Sequence, residues 1–218
     1  EIPGILEKYQ FNIDYILNEK NFPLKERDLP DLCADRIDYS LRNTLGYRVT
    51  NKERINYFLQ NLTTEKNFWV FKNFQSAKDY AELFLKLNTV HYAGFPTAVM
   101  FQTMADLLKH ALGKGYINKK DLYTTDKAVL GKIKKHMKND QKLKLLFKRI
   151  SGKVKFKNSP RHFDVHVYLK SRVVDPLFKT DGKFKRVSQV KPIWAKIIKA
   201  ELKPKEYFIK FISDSNPI

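Results

Sequence analysis

The sequence holds a single cysteine, Cys33, so it forms no internal disulfide and offers no cysteine cluster for zinc. It lacks any run of about 18 apolar residues, the length that a membrane-crossing helix needs. Its first residues, Glu1-Ile2-Pro3, have neither the basic start nor the apolar stretch of a secretory signal. A glycine-rich phosphate loop is missing, because Gly113-Lys114-Gly115 follows a helical pattern where such a loop precedes one. A Gly-x-Ser-x-Gly nucleophile elbow is missing too, as are internal repeats and low-complexity tracts. Acids are scarce: 23 Asp+Glu stand against 42 Lys+Arg. What is present is a globular composition, 43% hydrophobic and 13% aromatic over 218 residues. That is enough for one large domain, or one domain with a small appendage. The expected setting is cytoplasmic. The start at Glu1 rather than Met leads us to expect a piece of a longer chain.

The formal charge of +19 is unevenly placed. Residues 1–126 are nearly balanced, with 17 basic and 16 acidic side chains. Residues 127–157 hold 12 basic residues and one acid, Asp140. Residues 158–218 hold 13 basic and 6 acidic residues. Such asymmetry points to an anionic partner for the second half: nucleic acid, nucleotide phosphates or an acidic protein. The plain alternative is a lysine-rich solvated surface. Lys134, Lys135, Lys142 and Lys144 lie off the apolar stripes of their segments and are the expected polyanion contacts. Aromatic residues do not interleave with these lysines along the chain as on a single-strand stacking platform, so little sequence preference is expected.

Helical periodicity dominates up to about residue 150. It predicts helices at residues 3–18, 31–45 (capped by Asp31 and ended by Gly46), 51–62, from Ser76 onward, and over 98–112. Residues 67–74 read as either a strand pair or a helix. Two short basic helices follow, at 127–136 and 140–150. The period then changes to two at 153–157, 163–169 and 206–211, with a turn at Thr180-Asp181-Gly182-Lys183 and one helix near 193–200. The expected fold is α+β: a mainly helical segment over 1–150, then a small basic antiparallel sheet over 151–218.

The scattered histidines give no helical pair. His162 and His166 share one strand face by spacing, and read as surface histidines rather than a metal pair. Cys33 could act as a nucleophile only with a histidine near it in space, and none is near in sequence. The sharpest constellation runs from Cys33 to Asn43. At 100° per residue, with Asp35 at zero, Tyr39 falls near 40°, Arg42 near 340° and Asp38 near 300°. Ala34, Ile37, Leu41 and Leu45 form a neighbouring apolar face. Two carboxylates, a phenol and a guanidinium thus project beside the buried side, and Asp35 and Tyr39 are expected to face one cleft. Asp38 and Arg42 alone read as an i,i+4 ion pair. A carboxylate at a core margin needs a counter-charge, which Arg42 or a metal would supply.

Asp31-Leu32-Cys33-Ala34-Asp35-Arg36-Ile37-Asp38-Tyr39-Ser40-Leu41-Arg42 resembles the last metal-ligand motif of the HD-superfamily phosphohydrolases. Downstream, residues 107–115, 121–126, 172–177 and 181–183 are similar, less specifically, to later segments of the nucleotide-hydrolysing branch. The resemblance implies a mainly helical hydrolase domain. In it a divalent metal is held by a His, a His-Asp dipeptide and a final Asp, which corresponds to Asp35. Such a metal polarises phosphate and generates hydroxide from bound water. The implied substrate is a nucleoside triphosphate. Tyr39 corresponds to a sugar-pocket residue, with Arg42 and Asn43 as further substrate contacts. Asn43 stands where the motif usually has Asp, which keeps the shape of the side chain but loses its charge. No His-Asp dipeptide occurs anywhere in the sequence, and one carboxylate cannot hold a hydrolytic metal. The chain alone is therefore expected to be inactive. The partners expected are a nucleotide substrate, nucleic acid, and a second copy or an upstream segment that completes the domain. The alternative function is a non-catalytic nucleotide- or nucleic-acid-binding module.

Overall fold

The computed structural model describes residues 2–212. Along the chain run α1 (Ile2–Lys8), α2 (Ile13–Leu17), α3 (Ala34–Gly46), α4 (Lys52–Gln60), β1 (Leu62–Glu65), β2 (Phe68–Phe71), α5 (Phe74–Leu87) and α6 (Phe95–Gly113). They are followed by α7 (Asp126–Lys134), α8 (Gln141–Ile150), β3 (Lys155–Asn158), β4 (Val165–Leu169), β5 (Leu177–Thr180), β6 (Lys183–Arg186), α9 (Val187–Val190), α10 (Pro192–Glu201) and β7 (Lys205–Ile212). The fold is α+β, with a helical region followed by small sheets. The change of period at residue 150 divides the sequence, but the compact units cut the chain elsewhere and interleave. One unit joins Glu1–Tyr92 to Ser171–Lys203, and the other joins Ala93–Lys170 to Pro204–Ile218.

The first unit is built around α3, α5 and β2, with Phe58, Phe71, Tyr80, Phe84 and Trp194 filling its core. Residues 67–74, ambiguous in sequence, hold the second strand of a hairpin. Lys66 and Asn67 both take positive φ, 48° and 62°, as a tight two-residue hairpin turn requires. β2 is unbroken in its apolar character because neither of its faces is left exposed. β1 lies antiparallel to it and β5 parallel to it, in a four-stranded order β1-β2-β5-β6. The sheet is therefore mixed and reaches back into the helical segment, which a purely antiparallel C-terminal sheet does not allow for. The turn at Asp181-Gly182 is as expected, with φ of 49° and 70°.

Three local expectations are corrected. The helix predicted over 3–18 is split where Gln10 adopts a φ of 58°, and neither α1 nor α2 buries a residue. Asp31 does not cap α3: Cys33 holds that position without a side-chain bond, while the Asp31 carboxylate pairs with Arg186 at 2.6 Å. Helix α5 is capped by Asn73, whose side chain accepts from the Ser76 N–H.

The second unit has two apolar clusters joined by α6. Leu107 and Ala111 pack with Ile133, Leu143 and Leu146 of α7 and α8. Val99 packs with Val154, Ile209 and Phe211 beneath a three-stranded antiparallel sheet of order β3-β7-β4. No helix among the described residues is long and apolar enough to cross a membrane.

Candidate active site

The apolar positions of α3 do what the helical angles require: Ile37 and Leu41 are buried in the core of the first unit. Ser40 and Thr44 are buried beside them, each returning its hydroxyl to a carbonyl three residues back. This pattern of small hydroxyls lets α5 approach closely, and Ser40 Oγ meets the Tyr80 hydroxyl at 2.7 Å.

Arg36 is the charged residue that the sequence reading missed. It is only 8% exposed and organises the loop before α3. Its guanidinium donates to the Asp31 carbonyl at 2.6 Å, the Arg27 carbonyl at 3.1 Å and Glu26 Oε1 at 3.4 Å. Fixed carbonyls replace the water of its two terminal nitrogens, while Nε is buried without a hydrogen-bond partner among the described residues. Glu26 Oε1 also accepts from the Cys33 thiol at 3.3 Å. Burial pushes the Cys33 thiol up, so it is a packed, protonated side chain and not a nucleophile.

The four polar residues expected on one arc separate into two groups. Asp35, Tyr39 and Asn43 follow one another turn by turn. Asp35 is exposed and its side chain has no partner among the described residues. Tyr39 is half-buried and meets Tyr92 edge to face, with ring centroids 5.7 Å apart. Asn43 Nδ2 donates to the Tyr92 hydroxyl at 2.8 Å. Burial raises the Tyr39 phenol, and the nearby positive charges of Arg36 and Arg172 partly oppose that rise. Tyr92 is likewise raised by burial, with the Asn43 bond opposing. The structure thus adds Tyr92 and Arg172 to the neighbourhood of Tyr39. Tyr92 carried no signal in the sequence beyond its residue type, and Arg172 stood only at the start of the weakly similar segment 172–177.

Asp38 and Arg42 form the second group. They are ion-paired to each other and exposed, as the i,i+4 spacing allows. Both line an apolar groove of about 490 Å³ with Ile37, Leu41, Ile55 and Trp69. Arg42 therefore belongs to that groove's rim rather than to the Tyr39–Asn43 ridge.

In the second unit, Lys134, Lys135, Lys142 and Lys144 are all exposed. Asp140, the acid of 127–157, is turned inward. It accepts from Tyr116 at 3.1 Å, lies 2.7 Å from His110 Nε2, and caps α8 through the Leu143 N–H. These bonds hold its carboxyl down at about 2. His166 is bonded to Glu206 across the sheet at 2.8 Å, while His162 lies before β4 rather than in it.

Among the described residues, no group of three or more His, Cys, Asp or Glu side chains could hold a metal ion. Asp35 supplies one carboxylate, and no further His, Cys, Asp or Glu ligands join it among the described residues. The residues present do not by themselves fit a hydrolytic metal.

No protein-family model matches the chain. It is 30% identical over 197 residues to the uncharacterised protein YdhJ of Bacillus subtilis strain 168, a match covering 87% of this chain and 58% of YdhJ. The fold is similar to that of a hypothetical protein from Aquifex aeolicus, with a TM-score of 0.63 and 12% identity over 97% of this chain and 65% of that one. It is also similar to a phosphohydrolase from Bacteroides thetaiotaomicron, with a TM-score of 0.53 and 13% identity over 81% of this chain and 60% of that one. The chain spans less than two thirds of each of these relatives, and at such structural identities it is the fold that is shared. That fold is one found in a phosphohydrolase.

Proposed function

We propose that this chain contributes Asp35 to a metal-dependent phosphohydrolase site of the HD type that acts on nucleoside triphosphates, with the remaining ligands supplied from outside these residues. One observation carries the reading. Asp35 is an exposed carboxylate without a side-chain partner, set one turn before an ordered wall of Tyr39, Tyr92 and Asn43. An exposed carboxylate with no side-chain partner among the described residues, one turn before Tyr39, is free to meet a ligand. The wall offers an aromatic face and hydrogen-bonding groups to a sugar, and the half-buried Arg172 offers a positive charge to phosphate.

A second feature supports a site completed from elsewhere. Ile2, Ile5, Tyr9, Phe11, Tyr15 and Leu17 of the α1–α2 segment are all more than half exposed. Contiguous apolar exposure of this kind marks a surface that another segment or subunit covers. A longer chain or a second copy would satisfy it, in a cytoplasmic setting.

A polyanion-binding role for Lys134, Lys135, Lys142 and Lys144 stands beside this reading. It is favoured by their exposure and by the withdrawal of Asp140 from the surface. The hydrolase reading is tested by following phosphate and triphosphate release from nucleoside triphosphates with added divalent metal. The arms are the 218-residue chain, a longer chain that carries the missing ligands, and its Asp35→Ala variant.

A further inference from the structure

The outer face of the β3-β7-β4 sheet carries an aromatic platform that the proposed hydrolysis does not use. Along β4, alternation turns Val165 and Val167 toward the core and leaves His166 and Tyr168 exposed. Along β7, Ile209 and Phe211 are buried and Phe208 lies on the other face. The register sets His166 opposite Phe208. Their rings stack 4.4 Å apart at an interplanar angle of 4°. Phe163 stands 5.2 Å from Phe208, and Tyr168 stands 4.8 Å from His166. Phe163 is 44% exposed and Tyr168 65% exposed. Lys157 pairs in register with Lys210, which shares the face of Phe208, and Lys155 is two residues before it. Lys155 and Lys157 are exposed and have no side-chain partner among the described residues, whereas Lys210 is neutralised by Asp164 at 2.7 Å. Strand pairing thus brings Lys155 and Lys157 onto the same sheet face as these aromatics.

We propose that this face binds single-stranded nucleic acid. Two or three bases would stack on Phe163, Tyr168 and the His166–Phe208 pair, while the backbone runs past Lys155 and Lys157. The occupant follows from the chemistry. An acidic peptide would satisfy the lysines but not the rings, and an apolar one the reverse. A duplex hides the faces of its bases, whereas a single strand presents π-faces and phosphates together. Glu206 accepts from Tyr168 at 3.1 Å and lies 2.8 Å from His166 Nε2. Its charge repels phosphate, which keeps the backbone on the β3 side. Its remaining lone pairs can accept from a base amino group. This proposal does not depend on the hydrolase reading.

The test is fluorescence anisotropy of the 218-residue chain with labelled single strands of about 12 nucleotides, as DNA and as RNA, and with a duplex of equal length. Single strands should bind more tightly than the duplex. Phe163→Ala and Tyr168→Ala should each weaken single-strand binding roughly fivefold to a hundredfold, with unchanged thermal melting. Tyr168→Phe should retain binding, since it keeps the ring. A difference between the DNA and RNA arms would identify which strand the face prefers. Three results would overturn the proposal: no binding at about 50 mM salt, duplex binding as tight as single-strand binding and indifferent to the aromatic variants, or displacement of the strand by polyglutamate at equal charge.

Discussion

Tyr39 and Tyr92 meet edge to face, 5.7 Å between ring centroids, and the Tyr92 hydroxyl accepts from Asn43 at 2.8 Å. One side chain from α3 thereby fixes a second aromatic that lies 49 residues away from it in sequence. Tyr92→Phe keeps the ring contact and removes the acceptor. Because Asn43 is only half-buried, the loss should be about 0.5–1.5 kcal/mol, read by chemical denaturation. Tyr39→Ala should cost more, since it removes both ring packing and burial.

Arg36→Ala should be the most damaging of the α3 substitutions at a polar position. It strips donors from the Asp31 and Arg27 carbonyls and leaves Glu26 without its cation. The expected loss is about 2–4 kcal/mol, in line with unsatisfied acceptors and charged hydrogen bonds. Arg36→Lys should recover less than half of it, because an ammonium cannot reproduce the fork. Denaturant midpoints of the two variants check this.

The buried faces of α3 and α5 were legible because period 3.6 needs only local sequence. Arg36 was not, because its acceptors belong to a loop whose path is set by Arg27, Arg186 and Asp31 together. The β2 strand was ambiguous because a strand covered on both faces loses its alternation. The aromatic platform was invisible for a different reason. Phe163 and Phe208 meet only once β4 and β7 are in register. The places of Asp35 and Tyr39 one turn apart on α3 followed from the helical angles, and the separation of Arg42 from them came from the groove beside Ile55 and Trp69.

The Asp140 carboxyl, held at about 2 against a usual 3.8, makes the second unit acid-sensitive. A depressed folded-state value contributes stability that is complete above the unfolded value and is lost as pH falls through the folded one. The wild-type chain should therefore lose stability between about pH 4 and pH 2 at this site. Asp140→Asn keeps the helix cap but not the charge, and should show a flatter acid limb. Denaturation across that pH series decides it: parallel limbs would mean that the Leu143 N–H, His110 and Tyr116 contacts do not stabilise the ionised form.

The central claim is that Asp35 serves a phosphohydrolase whose site this chain only partly supplies. The most direct measurement is release of phosphate or triphosphate from nucleoside triphosphates with added divalent metal, comparing the 218-residue chain with a longer chain bearing the missing histidine ligands. The account predicts no release by the short chain, release by the longer one, and a fall to background on Asp35→Ala with folding unchanged. Release by the short chain that Asp35→Ala abolishes would contradict the claim of a partial site. A longer chain that binds metal but hydrolyses no nucleotide, or one indifferent to Asp35→Ala, would contradict the assignment of Asp35.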